Sequence, residues 1–168
     1  MEVLKIATDW AKAEVFSSAF FILFGVVFVL GSIGFWQLGK TDMAKAFIIP
    51  TLVAGVLLLI IGIGLVYSNQ TRIASFPTAY DSDAAPFVQS EITRAENTMQ
   101  EYQNVVFKVI PIIILVSTLL IIFMDKPFWR AIGITTIAMM IVILLVDSNA
   151  HARMDVYHQQ LVSVEQSE

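Results

Sequence analysis

Four long apolar runs limit what this sequence can fold into. They cover residues 15–38, 46–67, 105–124 and 127–146. Each reaches the roughly 20 apolar residues that a helix needs to cross a bilayer core. Because backbone groups in lipid must be hydrogen-bonded within the chain, such runs cross it as helices. The sequence therefore predicts an all-α integral membrane protein with four transmembrane helices.

The composition supports a membrane environment. Hydrophobic residues make up 57% of the chain and charged residues 14%, whereas a soluble domain averages about 45–50% apolar and about 25% charged. A net charge of −4 argues against a nucleic-acid partner, because binding to nucleic acid depends on clustered lysine and arginine. The absence of cysteine excludes disulfides and thiolate metal ligands.

Four crossings determine which segments share a side of the membrane. The turns at 39–43 and 125–130 lie on one side and are too short to hold a domain. Both termini and the segment 68–104 lie on the other side. Counting lysine and arginine slightly favours the cytoplasm for that second side. We therefore expect a multi-pass protein of the cell membrane with both termini cytoplasmic.

Apolar positions continue beyond the third and fourth runs at helical spacing. This interaction stripe comprises Val88, Ile92, Met99, Tyr102, Met154 and Tyr157. The spacing predicts one helix over 87–124, with a possible kink at Pro111, and another over 127–160. We expect them to form a long antiparallel hairpin that extends beyond the bilayer on the side of both termini. Since half-apolar helices are marginal alone in water, the stripe should hold a bundle together or contact a partner.

These patterns divide the chain into five parts. Residues 1–14 form an amphipathic N-terminal arm, and 15–67 form the first transmembrane hairpin. The segment 68–86 is rich in serine, aspartate and proline and is predicted to be an irregular acidic loop. The long transmembrane hairpin covers 87–164, and residues 165–168 form a tail.

One polar face of the C-terminal helix could hold a metal ion. Asp147, His151, Asp155 and His158 fall within an arc of about 80° on a helical wheel, and imidazole with carboxylate suits several divalent metals. Polar residues beside an apolar stripe are, however, what any amphipathic helix requires. The favoured interpretation is a solvated edge, so no metal or cofactor is expected. Proton sensing by the two histidines is an alternative.

The sequence contains no recognisable catalytic motif, so we do not expect an enzyme. The favoured hypothesis is a small non-catalytic membrane protein that acts through helix-mediated self-association or as an accessory subunit of a membrane complex. One alternative is a homo-oligomeric channel or transporter, which its acidic arms would make cation-preferring. Another is a metal-binding membrane sensor or enzyme that uses the Asp147, His151, Asp155 and His158 face.

Overall fold

The computed structural model describes residues 2–166, and this part of the chain contains helices and no strand. The elements are α1 (Glu2–Leu38), α2 (Asp42–Ala46), α3 (Ile48–Ser82), α4 (Ala84–Glu101), a π-helical segment (Tyr102–Val109), α5 (Ile110–Phe123) and α6 (Pro127–Glu165). Residues 167 and 168 of the predicted tail lie outside the described residues.

These elements make four long helical units. They are α1, α2 with α3, α4 with the π segment and α5, and α6, with lengths of 37, 41, 40 and 39 residues. All four are long and apolar enough to cross a membrane. The prediction of an all-α chain with four such helices is therefore confirmed. At 1.5 Å per residue each unit measures about 55–60 Å, nearly twice a hydrocarbon core of about 30 Å.

The prediction of an irregular loop over 68–86 is wrong. α3 continues to Ser82, and α4 begins at Ala84. Asp83 separates the two helices in an extended conformation, with φ −162° and ψ 110°. A tight turn between two helices therefore replaces the expected loop.

Aromatic packing explains why α3 remains helical around Pro77. An internal proline costs a helix about 3 kcal/mol, and the sequence pattern treats it as a breaker. In the structure Phe76 is buried and packs edge-on against Phe87, with 5.5 Å between ring centroids. Tyr80 contacts the same ring at 5.8 Å. These contacts fasten the end of α3 to the start of α4 and offset the cost of the proline.

The predicted helix over 87–124 is interrupted by the π segment. The amide of Ile110 donates to the carbonyl of Val105, five residues earlier. Pro111 follows immediately and has no amide hydrogen, and its ring would crowd the carbonyl of an ordinary α-helical turn. The wider turn before Pro111 relieves that crowding. The π segment covers eight residues, longer than the single-turn bulges in which π geometry mostly occurs.

Glycines allow α1 and α3 to approach closely. A Cβ atom on Gly55 would lie 2.9 Å from the carbonyl oxygen of Gly25 and 2.8 Å from Val29 Cγ2. A Cβ on Gly62 would lie 2.9 Å from the backbone nitrogen of Ile22. The facing positions therefore follow opposite directions along the two helices. Small residues at such contacts let helices pack by van der Waals attraction in lipid.

The largest hydrophobic core draws on all four helical units beyond the apolar runs. Its buried members are Val3, Ala7, Trp10, Ala11, Phe76, Phe87, Val88, Ile92, Ala95, Met154, Tyr157 and Leu161. The N-terminal arm is thus the first part of α1, and it packs with the ends of the other helices. We call this assembly the end bundle.

Candidate functional site

The interaction stripe lies inside the end bundle. Its residues are Val88, Ile92, Met99, Tyr102, Met154 and Tyr157. The first two and the last two are buried, and the middle two are partly buried against the same core. The stripe therefore contacts the chain's own helices, and a role for it between chains stays a prediction.

Two of the candidate metal ligands contact separate neighbours. His158 Nε2 lies 3.4 Å from Glu96 Oε1 on the facing helix. Asp155 accepts a hydrogen bond of 3.1 Å from Gln159, one turn along its own helix. Both contacts are on the exposed side of the bundle. This arrangement fits the solvated edge that the sequence favours.

The other two candidate ligands point to different surroundings. The His151 ring lies between aromatic neighbours, 5.4 Å from the Phe107 centroid and 5.6 Å from that of Tyr102. Asp147 lines a cavity that is described below. Among residues 2–166 no group of three or more histidine, aspartate or glutamate side chains is placed to hold a metal ion. Positions at i and i+4 share a face but spread along the helix axis, so the four side chains do not converge.

A charged cluster forms the centre of the end bundle. Arg94 forms a two-pronged ion pair with Glu91, with Nε 3.0 Å from Oε1 and Nη2 on Oε2. The Tyr157 hydroxyl donates to Glu91 Oε2 at 2.6 Å. The Arg94 guanidinium lies 4.3 Å from the Trp10 ring, and Trp10 stacks on Tyr157 at 4.9 Å. Arg94, which the stripe pattern would place on the outward side, therefore faces inward.

The environment keeps Arg94 charged. Burial alone lowers the pKa of its guanidinium, but the hydrogen bond and the charge of Glu91 outweigh burial and raise that pKa above its ordinary value. The same carboxylate and burial raise the pKa of Tyr157, so its hydroxyl keeps its proton and stays a donor. Glu91, Arg94 and Tyr157 therefore satisfy one another, whereas Trp10 Nε1 is buried without a hydrogen-bond partner among the described residues.

A second buried ion pair joins α1 to α6. Arg153 Nε donates to Glu14 Oε1 at 2.9 Å, and Glu14 is 8% exposed. Burial raises the pKa of Glu14, against the opposing hydrogen bond and charge of Arg153. Arg153 Nη2 is buried without a hydrogen-bond partner among the described residues. This pair lies immediately before the apolar run of α1.

A cavity of about 540 Å³ lies beside both ion pairs. We call it the junction cavity, because it lies where the apolar runs meet the end bundle. Its volume falls within the roughly 300–1,000 Å³ of typical ligand sites. Five charged side chains line it: Glu14, Arg72, Arg94, Glu101 and Asp147. α1, α3, α4 and α6 each contribute at least one of them.

Two of these charges have no oppositely charged partner. Arg72 Nη1 donates to Asn69 Oδ1 at 2.9 Å, but none of the ion pairs within residues 2–166 includes Arg72. Burial, and then the nearby charge of Arg94, lower the pKa of Arg72. Asp147 has neither a hydrogen bond nor an ion pair with another described side chain. Burial, and then the charge of Glu14, raise the pKa of Asp147 to about 6.

Part of the lining of the junction cavity is apolar, and we call this part its apolar side. Ile61 and Leu65 of α3 line it together with Val105 and Val106 of the π segment. Ile61 and Leu65 are each 38% exposed and Val105 is 53% exposed. The cavity therefore has an accessible apolar side between α3 and the π segment. The wall of the junction cavity therefore combines charged side chains with apolar side chains.

Sequence reasoning missed the junction cavity for a specific reason. Asn69 and Arg72 fall in the segment that was expected to be irregular, so their helical face could not be assigned. Glu14 and Asp147 directly precede 15–38 and directly follow 127–146. An even number of crossings separates those two ends, so they lie on the same side of the membrane. The position of Glu14 and Asp147 next to these ends is the sequence signal that could have placed them near each other.

The junction cavity thus presents charges of both signs together with apolar side chains. No protein-family model matches the chain, and comparisons with curated proteins and with solved structures gave no match.

Proposed function

We propose that this chain is a small non-catalytic integral membrane protein that works by binding a ligand in the junction cavity. The observation that carries this proposal is that Arg72 and Asp147 are half-buried, form no ion pair within residues 2–166 and line the same cavity. Removing a charge from water without a partner costs several kcal/mol. A bundle that served packing alone would gain stability from apolar residues at these positions. A bound ligand of complementary charge would offset that cost.

The proposed topology places the junction cavity at the membrane boundary. Facing pairs such as Glu91 with Tyr157 and Ser117 with Gly133 support a long antiparallel hairpin. The apolar runs would cross the bilayer, and the end bundle with both termini would lie on one side. We propose the cytoplasm for that side, because the lysine and arginine count slightly favours it.

Ligand binding by a single chain fits the packing better than self-association through the stripe. Ile92 and Met154 are 4% and 2% exposed within the end bundle. Self-association through them would require the bundle to open. An accessory role in a membrane complex remains compatible with ligand binding, because other surfaces of the chain stay accessible.

Native mass spectrometry of the full chain tests the proposal. We expect the protein, released from mild detergent, to carry a small-molecule adduct that Arg72→Met removes. Arg130→Met is the matched control, because Arg130 lies in the first turn of α6, pairs with exposed Asp125 and does not line the cavity. An adduct that survives Arg72→Met argues against the junction cavity. The proposal is overturned if the wild-type chain carries no adduct and its melting temperature does not change when a total membrane lipid extract is added.

A further inference from the structure

We infer that the junction cavity binds the headgroup of a zwitterionic phospholipid with a primary ammonium, with its phosphate at Arg72 and its ammonium at Asp147. This inference rests on the proposed function, because it identifies the ligand of the same cavity. The lipid would enter sideways from the bilayer, between α3 and the π segment. Its acyl chains would stay in the hydrocarbon core.

Arg72 is the cavity's available anion-binding group. A guanidinium has five N–H donors and binds phosphate in a two-pronged geometry. One donor nitrogen of Arg72 is held by Asn69 at 2.9 Å, which orients the group and leaves other donors open. Arg94 also lines the cavity, but its own two-pronged contact goes to Glu91. Arg94 therefore adds positive potential, and Arg72 makes the contact.

Asp147 is the corresponding cation-binding group. A primary ammonium donates three hydrogen bonds, and the Asp147 carboxylate has no partner among the described side chains. Glu14, by contrast, is already paired with Arg153 at 2.9 Å. Burial, and then the repulsion that Glu14 exerts, raise the pKa of Asp147, and a cation placed there would relieve that repulsion. One zwitterion thus neutralises both unpaired groups.

Two features of the cavity limit which phospholipid headgroup would fit it. A quaternary ammonium is recognised by aromatic faces, but both aromatic rings of the lining already have neighbours. The Arg94 guanidinium lies 4.3 Å from the Trp10 centroid, and the His151 ring lies 5.6 Å from that of Tyr102. This favours a primary ammonium over choline. The lining also contains three carboxylates, Glu14, Glu101 and Asp147, against two guanidiniums. The resulting excess of negative charge disfavours a lipid whose net charge is negative.

The apolar side of the cavity favours a lipid over a soluble zwitterion. Ile61, Leu65 and Val105 line it and keep exposed apolar surface. A soluble phosphoethanolamine would leave that surface unused. For a lipid, the same side chains lie where the glycerol and the first methylene groups would pass into the bilayer.

Competition between lipid classes tests the inference. The full chain in mild detergent is mixed with equal amounts of phosphatidylethanolamine, phosphatidylcholine and phosphatidylglycerol, and adducts are counted by native mass spectrometry. We expect phosphatidylethanolamine to exceed each of the others by about tenfold, which corresponds to about 1.4 kcal/mol. Arg72→Met should lower its binding at least about tenfold, whereas Arg130→Met should leave it unchanged. Asp147→Asn should remove the preference over phosphatidylglycerol, because one negative charge is lost.

The other outcomes separate this inference from the proposed function. Equal or tighter binding of phosphatidylglycerol or phosphatidylcholine at a site that Arg72→Met abolishes overturns the headgroup assignment and leaves the ligand site standing. Binding of water-soluble glycerophosphoethanolamine without any lipid adduct overturns the lipid assignment. No binding of any probe overturns both. Helical content and melting temperature of each variant show whether a loss reflects unfolding, and Asp147→Asn, expected to be well folded, keeps the test decisive.

Discussion

Glu14 and Arg153 are 139 positions apart in the sequence, yet Arg153 Nε donates to Glu14 Oε1 at 2.9 Å. The contact joins the first and last long helices at the level of the junction cavity. Glu14 belongs to the cavity wall, whereas Arg153 is not among the residues that line the cavity. The ion pair therefore fixes the position of a carboxylate that repels Asp147.

Replacing Arg153 with methionine should destabilise the protein by about 1–3 kcal/mol. Glu14 would remain buried without its charged donor, and leaving one member of such a pair buried and unpaired is strongly destabilising. The partial exposure of Arg153 reduces the expected loss. Adding Glu14→Gln should recover part of the loss, because no unpaired charge remains. Unfolding in detergent of the single and double variants measures this coupling. Strictly additive losses would show that the two side chains do not interact.

Asp147 should make the protein less stable as the pH rises. Its pKa is about 6 in the folded chain against an ordinary value of 3.8. Between these values the folded state holds more protons than the unfolded state, so the free energy of unfolding falls from about pH 4 to about pH 6 and then levels off. At one pKa unit per 1.36 kcal/mol, the loss is at most about 3 kcal/mol.

The variant Asp147→Asn isolates this effect. It should raise the free energy of unfolding at pH 7 and change it little at pH 4, because the wild-type carboxyl is largely neutral there. Asp125→Asn, at an exposed carboxylate, is the control. Unfolding curves in lipid-free detergent at several pH values make the measurement. A wild-type profile that matches Asp147→Asn throughout this range would contradict the assignment.

The Tyr157 hydroxyl should contribute about 1.5–3 kcal/mol, the usual range for a hydrogen bond to a charged group. It donates to the buried carboxylate of Glu91 at 2.6 Å. Tyr157→Phe therefore removes one of the hydrogen bonds that stabilise the buried charge of Glu91. Tyr67→Phe is a suitable control, because Tyr67 is 73% exposed. Equal melting temperatures for the two variants would mean that the Tyr157 hydrogen bond adds nothing to stability.

Periodicity and run length were enough to predict the four long helices, because both follow from the chemistry of lipid burial. They also placed Ile92 and Met154 on apolar helix faces, since a 3.6-residue period fixes which positions share a face. Periodicity does not show which helix or which partner protein packs against that apolar face. The stripe was therefore equally compatible with a partner protein and with the chain's own helices.

Contacts between distant residues account for the errors. Pro77 reads as a breaker because its effect is local, while the Phe76 and Phe87 contact that keeps α3 helical is made in the folded state. Extending α3 to Ser82 brings Arg72 into the bundle, and the junction cavity follows from that placement. The candidate metal face shows a related limit of local patterns: a helical wheel compares angles and ignores the rise between Asp147 and His158.

Truncating the stripe should weaken folding and leave the particle mass unchanged. Ile92→Ala and Met154→Ala each remove buried atoms from the end bundle and should cost about 2–5 kcal/mol. Val156→Ala is the control, because Val156 is 54% exposed on the same helix as Met154. Melting temperature and mass in detergent are measured together. A smaller particle at an unchanged melting temperature would instead assign the stripe to contacts between chains.

Gly133 should tolerate no side chain, unlike Gly31. A Cβ at Gly133 would lie 2.8 Å from the Ser117 carbonyl oxygen and 2.7 Å from Ile121 Cγ1, whereas a Cβ at Gly31 would meet nothing within 4 Å. Gly133→Ala should therefore force α5 and α6 apart and cost about 1–3 kcal/mol. Gly31→Ala should be neutral or stabilise by up to about 1 kcal/mol, because alanine has the higher helix propensity. Thermal unfolding in detergent compares them, and a stable Gly133→Ala protein would show that the two helices are not in contact there.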